Sequence, residues 1–158
     1  MNILERFEVR GSPEQVWMII RDPQEICRCM PSVQSIDVLD EGHYRSIVTQ
    51  RIGFISATFE IHTEIVEEQA PNRLVLANRG RTVAGAAGQM RSVDIITVTA
   101  LNEGTSEVRF ESELTLGGQL AVLGAKLIQL KSKEVVAETV KNLKQRLERT
   151  VPNGARQL

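Results

Sequence analysis

A long stretch of two-residue hydrophobic alternation, followed by one long helical repeat, limits the folds open to this chain. Apolar and polar residues alternate between residues 33 and 116, in segments separated by turn-forming residues, as in an antiparallel sheet. In the clearest segment one face carries Ile55, Ala57, Phe59, Ile61, Thr63 and Ile65, and the other face is polar. We predict strands over residues 33–40, 43–52, 54–68, 73–82, 88–102 and 105–116.

The first thirty residues predict one further strand and two short helices. Residues 2–10 alternate and indicate a half-buried strand. Ser12 is an N-cap residue with Pro13 at the first helical position, so a helix begins there. Asp22 before Pro23 ends that helix and caps a second short one.

The last part of the chain predicts a long amphipathic helix, from about Gln119 to Arg149 and roughly 45 Å long. Its apolar positions recur at steps of three and four residues: Leu120, Leu123, Leu127, Leu130, Val135, Thr139, Leu143 and Leu147. We expect residues 1–150 to form a single domain and residues 151–158 to be a frayed C-terminal stub.

These elements predict an α+β fold. Seven strands joined by short turns pair antiparallel and form a curved sheet, with the two short helices after the first strand. The long helix must bury its apolar stripe against the concave face of that sheet. Because a sheet that curls around one helix does not always fill the space between them, we expect a cavity there.

Composition excludes several classes of function. The net charge of -1 gives no overall attraction to nucleic acid or to an anionic membrane. Aromatic residues are only 4%, too few for a base-stacking platform. No apolar run approaches the roughly 20 residues that span a bilayer, and Met1 to Arg10 does not resemble a signal peptide. We expect a cytoplasmic location.

The residue types used in catalysis and metal binding are sparse. His43 and His62 are the only histidines, and we interpret His62 as a solvated residue in preference to an acid or base. Cys27 and Cys29 are interpreted as reduced thiols near a helix end, because their spacing suits neither a disulfide nor a metal site. We therefore predict no catalytic residue, no metal ligand and no enzymatic activity.

Two groups of charged residues allow more than one interpretation. Asp94 lies between Val93 and Ile95, and we favour a water-facing position over one that lines the cavity. Basic residues on the middle strands are interpreted as solvated groups paired with glutamates. The alternative for Arg79 and Arg81 is a docking patch or a donor to a ligand carbonyl. The basic set is Arg45, Arg51, Arg73, Arg79, Arg81 and Arg91.

Five segments, in order, carry a resemblance to a known family: residues 12–17, 22–31, 53–59, 85–88 and 117–124. They include Ser-Pro-Glu-Gln-Val-Trp at the start and Gly-Gly-Gln-Leu-Ala-Val-Leu-Gly at the head of the long helix. Over residues 2–148 the chain resembles the START-like, helix-grip superfamily that includes the birch pollen allergen fold. More narrowly, it is similar to the CoxG family of carbon monoxide dehydrogenase accessory proteins.

The resemblance implies an accessory protein of molybdenum hydroxylases such as carbon monoxide dehydrogenase, acting at the inner face of the cell membrane. It implies an apolar small-molecule ligand, an isoprenoid quinone such as menaquinone or another lipid, and no built-in cofactor. Some members carry a longer C-terminal extension that reaches the membrane. Because this sequence stops at Leu158, we expect no such anchor and at most peripheral membrane contact.

With the resemblance, the inward-facing apolar positions become candidate ligand contacts. They are Trp17, Ala57, Phe59, Ile61, Phe110, Leu120, Leu123, Gly124 and Leu127. Two alternatives to a carrier stay open at this point. One is an assembly factor with a packed core and an outer docking face. The other is a cyclase or dehydratase, which would need a perturbed acid or base inside the cavity.

Overall fold

The structure is a computed structural model and describes residues 1–150. The predicted stub at 151–158 lies outside the described residues. In chain order the elements are β1 (Asn2–Arg10), α1 (Pro13–Ile20), α2 (Pro23–Cys29), β2 (Val33–Asp40), β3 (His43–Ile52), β4 (Ile55–Gln69), β5 (Arg73–Gly85), β6 (Gly88–Asn102), β7 (Thr105–Gly118), a 3-10 helix (Gln119–Leu123) and α3 (Ala125–Thr150).

The strands form one seven-stranded antiparallel sheet in the order β1-β7-β6-β5-β4-β3-β2. Neighbours in the chain pair with each other from β2 to β7, and β1 pairs with β7 at the far edge. This order follows from the short turns between consecutive strands. The prediction of an α+β helix-grip fold with two short helices after the first strand is confirmed.

The two short helices begin at the residues that the sequence indicated. The Ser12 side chain accepts a hydrogen bond from the Gln15 N–H at 3.2 Å, and the Gln15 side chain accepts one from the Ser12 N–H at 2.8 Å. This capping box satisfies two N–H groups that would otherwise lack partners. Asp22 caps α2 in a similar way, with Oδ1 2.9 Å from the Gln24 nitrogen.

The prediction of one continuous helix from Gln119 is wrong at its first turn. Residues 119–123 form a 3-10 helix, and α3 starts only at Ala125. Gly124 between them has φ +81°, a left-handed conformation that interrupts helical hydrogen bonding and favours glycine. The remaining 26 residues make α3 about 39 Å long. No helix within residues 1–150 combines the length and apolarity needed to cross a membrane.

Apolar side chains pack into two separate clusters at opposite ends of the concave face. The first cluster joins α1, α2, the sheet and the end of α3: Val9, Val16, Ile19, Ile20, Cys29, Val98, Val108, Leu143 and Leu147. The second cluster lies beside the 3-10 helix and has Ala57, Phe59 and Leu120 as its buried members. Because α3 begins beside the second cluster and ends in the first, its middle turns cross the concave face between them.

The β5–β6 turn, residues 85–88, is a tight strand connection. A Cβ added to Gly88 would come within 2.6 Å of the Gly117 oxygen and 2.7 Å of a Leu120 methyl carbon. The Ala86 N–H donates to the Ser56 oxygen at 3.0 Å, and the Gln119 N–H donates to the Ala87 oxygen at 2.9 Å. Small residues therefore let the turn, β7 and the 3-10 helix approach one another closely.

Candidate ligand cavity

Six polar side chains cross the middle of the concave face, between the two apolar clusters. We call them the polar belt: Tyr44, Thr63, Asn78, Ser92, Asp94 and Ser112. Strand register places them in two adjacent rows, one running from Tyr44 to Ser92 across β3 to β6 and the other joining Asp94 of β6 to Ser112 of β7. They share the side of the sheet that carries Ile61, Ile96 and Val98.

The polar belt is held by side-chain hydrogen bonds. The Thr63 hydroxyl donates to Asn78 Oδ1 at 2.6 Å, and Asn78 Nδ2 donates to Ser92 Oγ at 3.1 Å and to Asp94 Oδ2 at 2.8 Å. The Ser112 hydroxyl donates to Asp94 Oδ1 at 2.7 Å. A network of this kind fixes the positions of its members across four strands.

Asp94 lies at the centre of this network. Desolvation raises the pKa of its carboxyl group, although hydrogen bonds from Ser112, Ser92 and Asn78 act in the opposite direction. The interpretation of Asp94 as water-facing is wrong. Because Val93 and Ile95 occupy the outer face, the alternation of β6 turns Asp94 inward, so the alternative of a cavity-lining residue is the correct one.

The concave face between the clusters is not filled by α3. The helix passes over it, yet the inward-facing side chains there stay half-buried, namely Ile61, Leu76, Met90, Asp94, Phe110, Leu114 and Leu116. A side chain below a helix is partly accessible only where space separates it from that helix. The lining of this space is apolar at the second cluster and polar along the belt, which suits a ligand with an apolar part and a polar group.

The structure brings together five of the nine predicted ligand residues. Ala57, Phe59 and Leu120 are buried in the second cluster, and Ile61 and Leu123 lie half-buried against it. These residues come from β4, the 3-10 helix and its end, so the sheet and the turn before α3 jointly form this wall. Their contact with a ligand stays a prediction.

The other four predicted residues lie outside the second cluster. Trp17 packs against the first cluster, and Phe110 lies on β7 opposite Ile96. Gly124 is exposed, and no atom lies within 4 Å of the position of a Cβ there. Leu127 is 37% exposed, whereas its neighbour Ile128 is 5% exposed. Because the helix is interrupted at Gly124, α3 is rotated relative to the continuous helix that the sequence predicted. Ile128 therefore faces inward where the prediction placed Leu127.

Sequence reasoning missed the polar belt as a set. The alternation of the strands contained the signal. Ser112 faces the same side of its strand as Val108, Phe110 and Leu114, and Thr63 faces the same side as Ile61. Polar residues at inward-facing positions of several adjacent strands indicate either a cavity or a buried hydrogen-bond network.

Tyr44 closes the belt at the β3 end and is tied to α1. Arg21, at the end of α1, donates from Nη1 to the Tyr44 hydroxyl at 3.3 Å and from Nε to Glu68 at 2.5 Å. Burial raises the pKa of Tyr44, so the phenol is protonated at neutral pH. It can therefore serve as a hydrogen-bond donor.

Neither histidine lies on the concave face. His62 is on the outer face, 3.4 Å from Glu60, and hydrogen bonding to Asp40 raises the pKa of His43 on the same face. Burial raises the pKa of Cys27 to about 11, so its thiol is not a nucleophile at neutral pH. Within residues 1–150, no group of three or more His, Cys, Asp or Glu side chains is arranged to hold a metal ion.

Comparison with solved structures defines the class of fold. The chain is similar to a conserved protein from Geobacillus kaustophilus at 19% identity and a TM-score of 0.87, covering 95% of this chain and 97% of that one. A START superfamily protein from Mycobacterium smegmatis matches at 13% identity and a TM-score of 0.73, covering 95% and 99%. The Zhui aromatase/cyclase from Streptomyces sp. R1128 matches at 11% identity and a TM-score of 0.69, covering 98% of this chain and 97% of that one. These similarities show that the chain has the START-like fold.

The family is narrower than the fold. The family model for CoxG, a carbon monoxide dehydrogenase component, matches residues 6–148, so the chain belongs to the CoxG family. No curated protein sequence matches the chain. The family and the fold fit a ligand-binding accessory protein, although the similar structures include an enzyme.

Proposed function

We propose that this protein is a non-enzymatic carrier of an apolar ligand, an isoprenoid quinone such as menaquinone or another lipid. It would bind this ligand between the sheet and α3 and serve a molybdenum hydroxylase such as carbon monoxide dehydrogenase in the cytoplasm. The observation that supports the proposal is the lining of the concave face, where the polar belt adjoins the apolar second cluster.

The apolar part of such a ligand supplies most of the affinity. Each methylene removed from water contributes about 0.8 kcal/mol, so one isoprene unit contributes several times that amount. Half-buried Ile61, Met90 and Leu123 offer the corresponding surface around the buried members of the second cluster. A long isoprenoid tail gains more from this wall than a small polar metabolite does.

The polar belt orients the head group. A quinone carbonyl accepts hydrogen bonds, and the belt contains an amide, hydroxyls and a carboxyl group of raised pKa that can donate one when protonated. In this proposal the partner oxidoreductase reduces the quinone with two electrons and two protons, and this chain carries the product toward the membrane. Family membership supports the accessory role.

Native mass spectrometry of the purified chain, followed by organic extraction, tests the proposal. We expect a near-stoichiometric quinone or lipid. The Leu123→Glu variant tests the wall of the proposed site, because Leu123 is half-buried against the second cluster. Its control is Leu130→Glu, which changes an exposed leucine of α3. Loss of ligand in the first variant alone supports contact at Leu123.

Two results would count against the proposal. Equal ligand content in both variants would remove Leu123 from the binding site while leaving the carrier function in place. A ligand-free protein that takes up no added menaquinone analogue would overturn the carrier function itself. The assembly-factor alternative would then be the better explanation.

Asp94 supports one second candidate, a cyclase or dehydratase. A desolvated carboxyl group of raised pKa is the kind of acid that such an enzyme needs inside its cavity. Against this, the groups that contact Asp94 are Asn78, Ser92 and Ser112, which offer no second acid or base. Recovery of the ligand in a dehydrated form, with its mass lowered by one water, from the unchanged chain but not from Asp94→Asn would favour the enzyme.

A further inference from the structure

The outer face of the sheet, on the side away from the concave face, carries a groove of about 520 Å³. We call it the outer groove. Most of its lining belongs to two neighbouring rows of residues that the strand register places side by side across β4 to β7. The first row is His62, Arg79, Arg91 and Thr115, and the second row is Glu64, Ala77, Val93 and Glu113. A volume of this size is typical of small-molecule sites.

Side-chain length explains why a groove forms on this face. Ala77 and Val93 are short and lie opposite each other on β5 and β6, so they form a low floor. The longer side chains of Arg79 and Arg91 follow on one side of that floor, two residues away along each strand. The outer groove is therefore apolar at its floor and charged along its walls.

Arg79 and Arg91 are an unpaired couple of like charges. They lie directly opposite each other on antiparallel strands, where Cβ atoms are about 5 Å apart and like charges repel. Both are exposed, and neither makes an ion pair with any residue of 1–150. Other arginines of the sheet do have acidic partners, namely Arg45 with Asp37, Arg73 with Glu67 and Arg81 with Glu60. The pairing that the sequence predicted for the basic set is thus missing at Arg79 and Arg91.

We propose that the outer groove binds a small phosphorylated sugar or polyol, with its phosphate group held between Arg79 and Arg91. A phosphate monoester carries a charge of about −1.5 to −2 at neutral pH, which offsets two guanidinium groups, whereas one carboxylate offsets only one of them. Its oxygens match the planar set of N–H donors on each arginine. The exposed hydroxyl of Thr115, in the same row, is a further donor.

The second row indicates the rest of the ligand. Glu64 and Glu113 are exposed carboxylates at its two ends, and ionised carboxylates accept hydrogen bonds from hydroxyl groups. They also repel a second anionic group, so a ligand with one phosphate and several hydroxyls fits better than a chain of phosphates does. Because the outer groove lies on the other side of the sheet from the proposed ligand cavity, this inference does not depend on the proposed function.

Heteronuclear NMR of the full chain, titrated with ribose 5-phosphate and with inorganic phosphate, tests the inference. Both should shift the side-chain Nε–H signals of Arg79 and Arg91 in a saturable way, and ribose 5-phosphate should bind more tightly. Ribose alone, and sodium chloride at the same ionic strength, should leave these signals in place. Arg79→Gln and Arg91→Gln should each raise the Kd for ribose 5-phosphate by at least about tenfold, because each removes a charged hydrogen-bonding group.

The matched control is Arg51→Gln. Arg51 is also an exposed arginine of the sheet without an ion pair within residues 1–150, but it does not line the outer groove. This variant should change the Kd by less than about twofold. An equal loss in the control would mean general attraction of anions and would overturn the site, as would arginine signals that neither phosphate compound moves. Equal affinity for the two phosphate compounds would overturn the role of the second row.

Discussion

The two ends of the concave face are built differently. We call the end with the first cluster the closed end. There α1, α2 and the last turns of α3 pack against the sheet, and nine residues of the described chain are buried in one cluster. At the other end, which we call the tip, the β3–β4 turn, the β5–β6 turn and the 3-10 helix meet. The second cluster lies there, has three buried members and is surrounded by half-buried side chains. The same sheet and the same helix therefore contribute to a tightly packed region and to an open one.

Polar contacts reinforce the difference. At the closed end Arg146 donates from Nε and Nη2 to the carboxylate of Glu25 at 2.6 and 2.8 Å, and Asn142 donates to the Cys29 oxygen at 2.8 Å. These bonds join α3 to α2 across more than a hundred residues of chain. A bidentate hydrogen bond between an arginine and a carboxylate also fixes the relative orientation of the two helices. The end of α3 is thus held in place, while its start follows the break at Gly124.

Stability and access are therefore separated along one concave face. Local opening occurs where few apolar contacts are buried, so the tip can open at a smaller free-energy cost than the closed end. The first cluster keeps the domain folded during such an opening.

Truncating one leucine at each end measures the difference directly. Leu147 is 1% exposed in the first cluster, and Leu147→Ala should lower the free energy of unfolding by about 3–4 kcal/mol, through lost transfer energy and a cavity. Leu123 is half-buried beside the second cluster, and Leu123→Ala should cost about 1 kcal/mol. Urea denaturation followed by circular dichroism provides both values.

Removing bound ligand before unfolding is the necessary control, because a ligand held at the tip adds to the apparent effect of Leu123→Ala. Similar losses for the two variants in the ligand-free state would contradict the comparison. They would mean that the second cluster supports the fold as strongly as the first.

Between the two ends, Asp94 should give the domain a pH-dependent stability. Because burial raises its pKa in the folded state above the ordinary value of 3.8, the folded chain holds this proton at pH values where the unfolded chain has lost it. Its contribution to the free energy of unfolding is therefore largest below pH 3.8 and falls as pH rises to the folded pKa. Above that pH the carboxylate is charged in a desolvated position.

The Asp94→Asn variant isolates this contribution, because it keeps the shape of the side chain without the titration. The difference in unfolding free energy between the variant and the unchanged chain should move in favour of the variant as pH rises from 4 toward 7. A difference that stays constant with pH would show that Asp94 is not desolvated. Asn78→Asp is unsuitable as a control, since it would place a second carboxylate in the belt.

Most of the fold could be predicted from local pattern. The strand bounds differ from the prediction by three residues or fewer, because alternation on β4 and glycine or asparagine at the turns fix the register of a sheet with one covered face. The N-cap at Ser12 is equally local, and it forms as the sequence indicated. Such signals need only neighbouring residues.

The predictions that were wrong concern residues whose conformation or burial depends on contacts with distant parts of the chain. The 3-10 helix packs where Leu120 approaches Gly88 of another strand, a contact that no short window of sequence contains. The inward position of Asp94 becomes acceptable only when Asn78 and Ser112 arrive from two other strands. A lone carboxylate beside apolar residues was therefore assigned to water, whereas the sheet supplies it with three hydrogen-bonding partners.

Thiol reactivity gives the smallest and most local test of the comparison. Cys27 belongs to α2 at the closed end, and with its pKa raised to about 11 only about one thiol in a thousand is ionised at pH 8. Ser56 adjoins the tip and is exposed, so the thiol introduced by Ser56→Cys should react with a disulfide reagent at the rate of a free thiol. Cys27 should react at least a hundredfold more slowly, and faster only in urea that unfolds the domain. If Cys27 in the folded protein matched the rate of the new thiol, the closed end would be opening as readily as the tip, and the separation of stability from access would not hold.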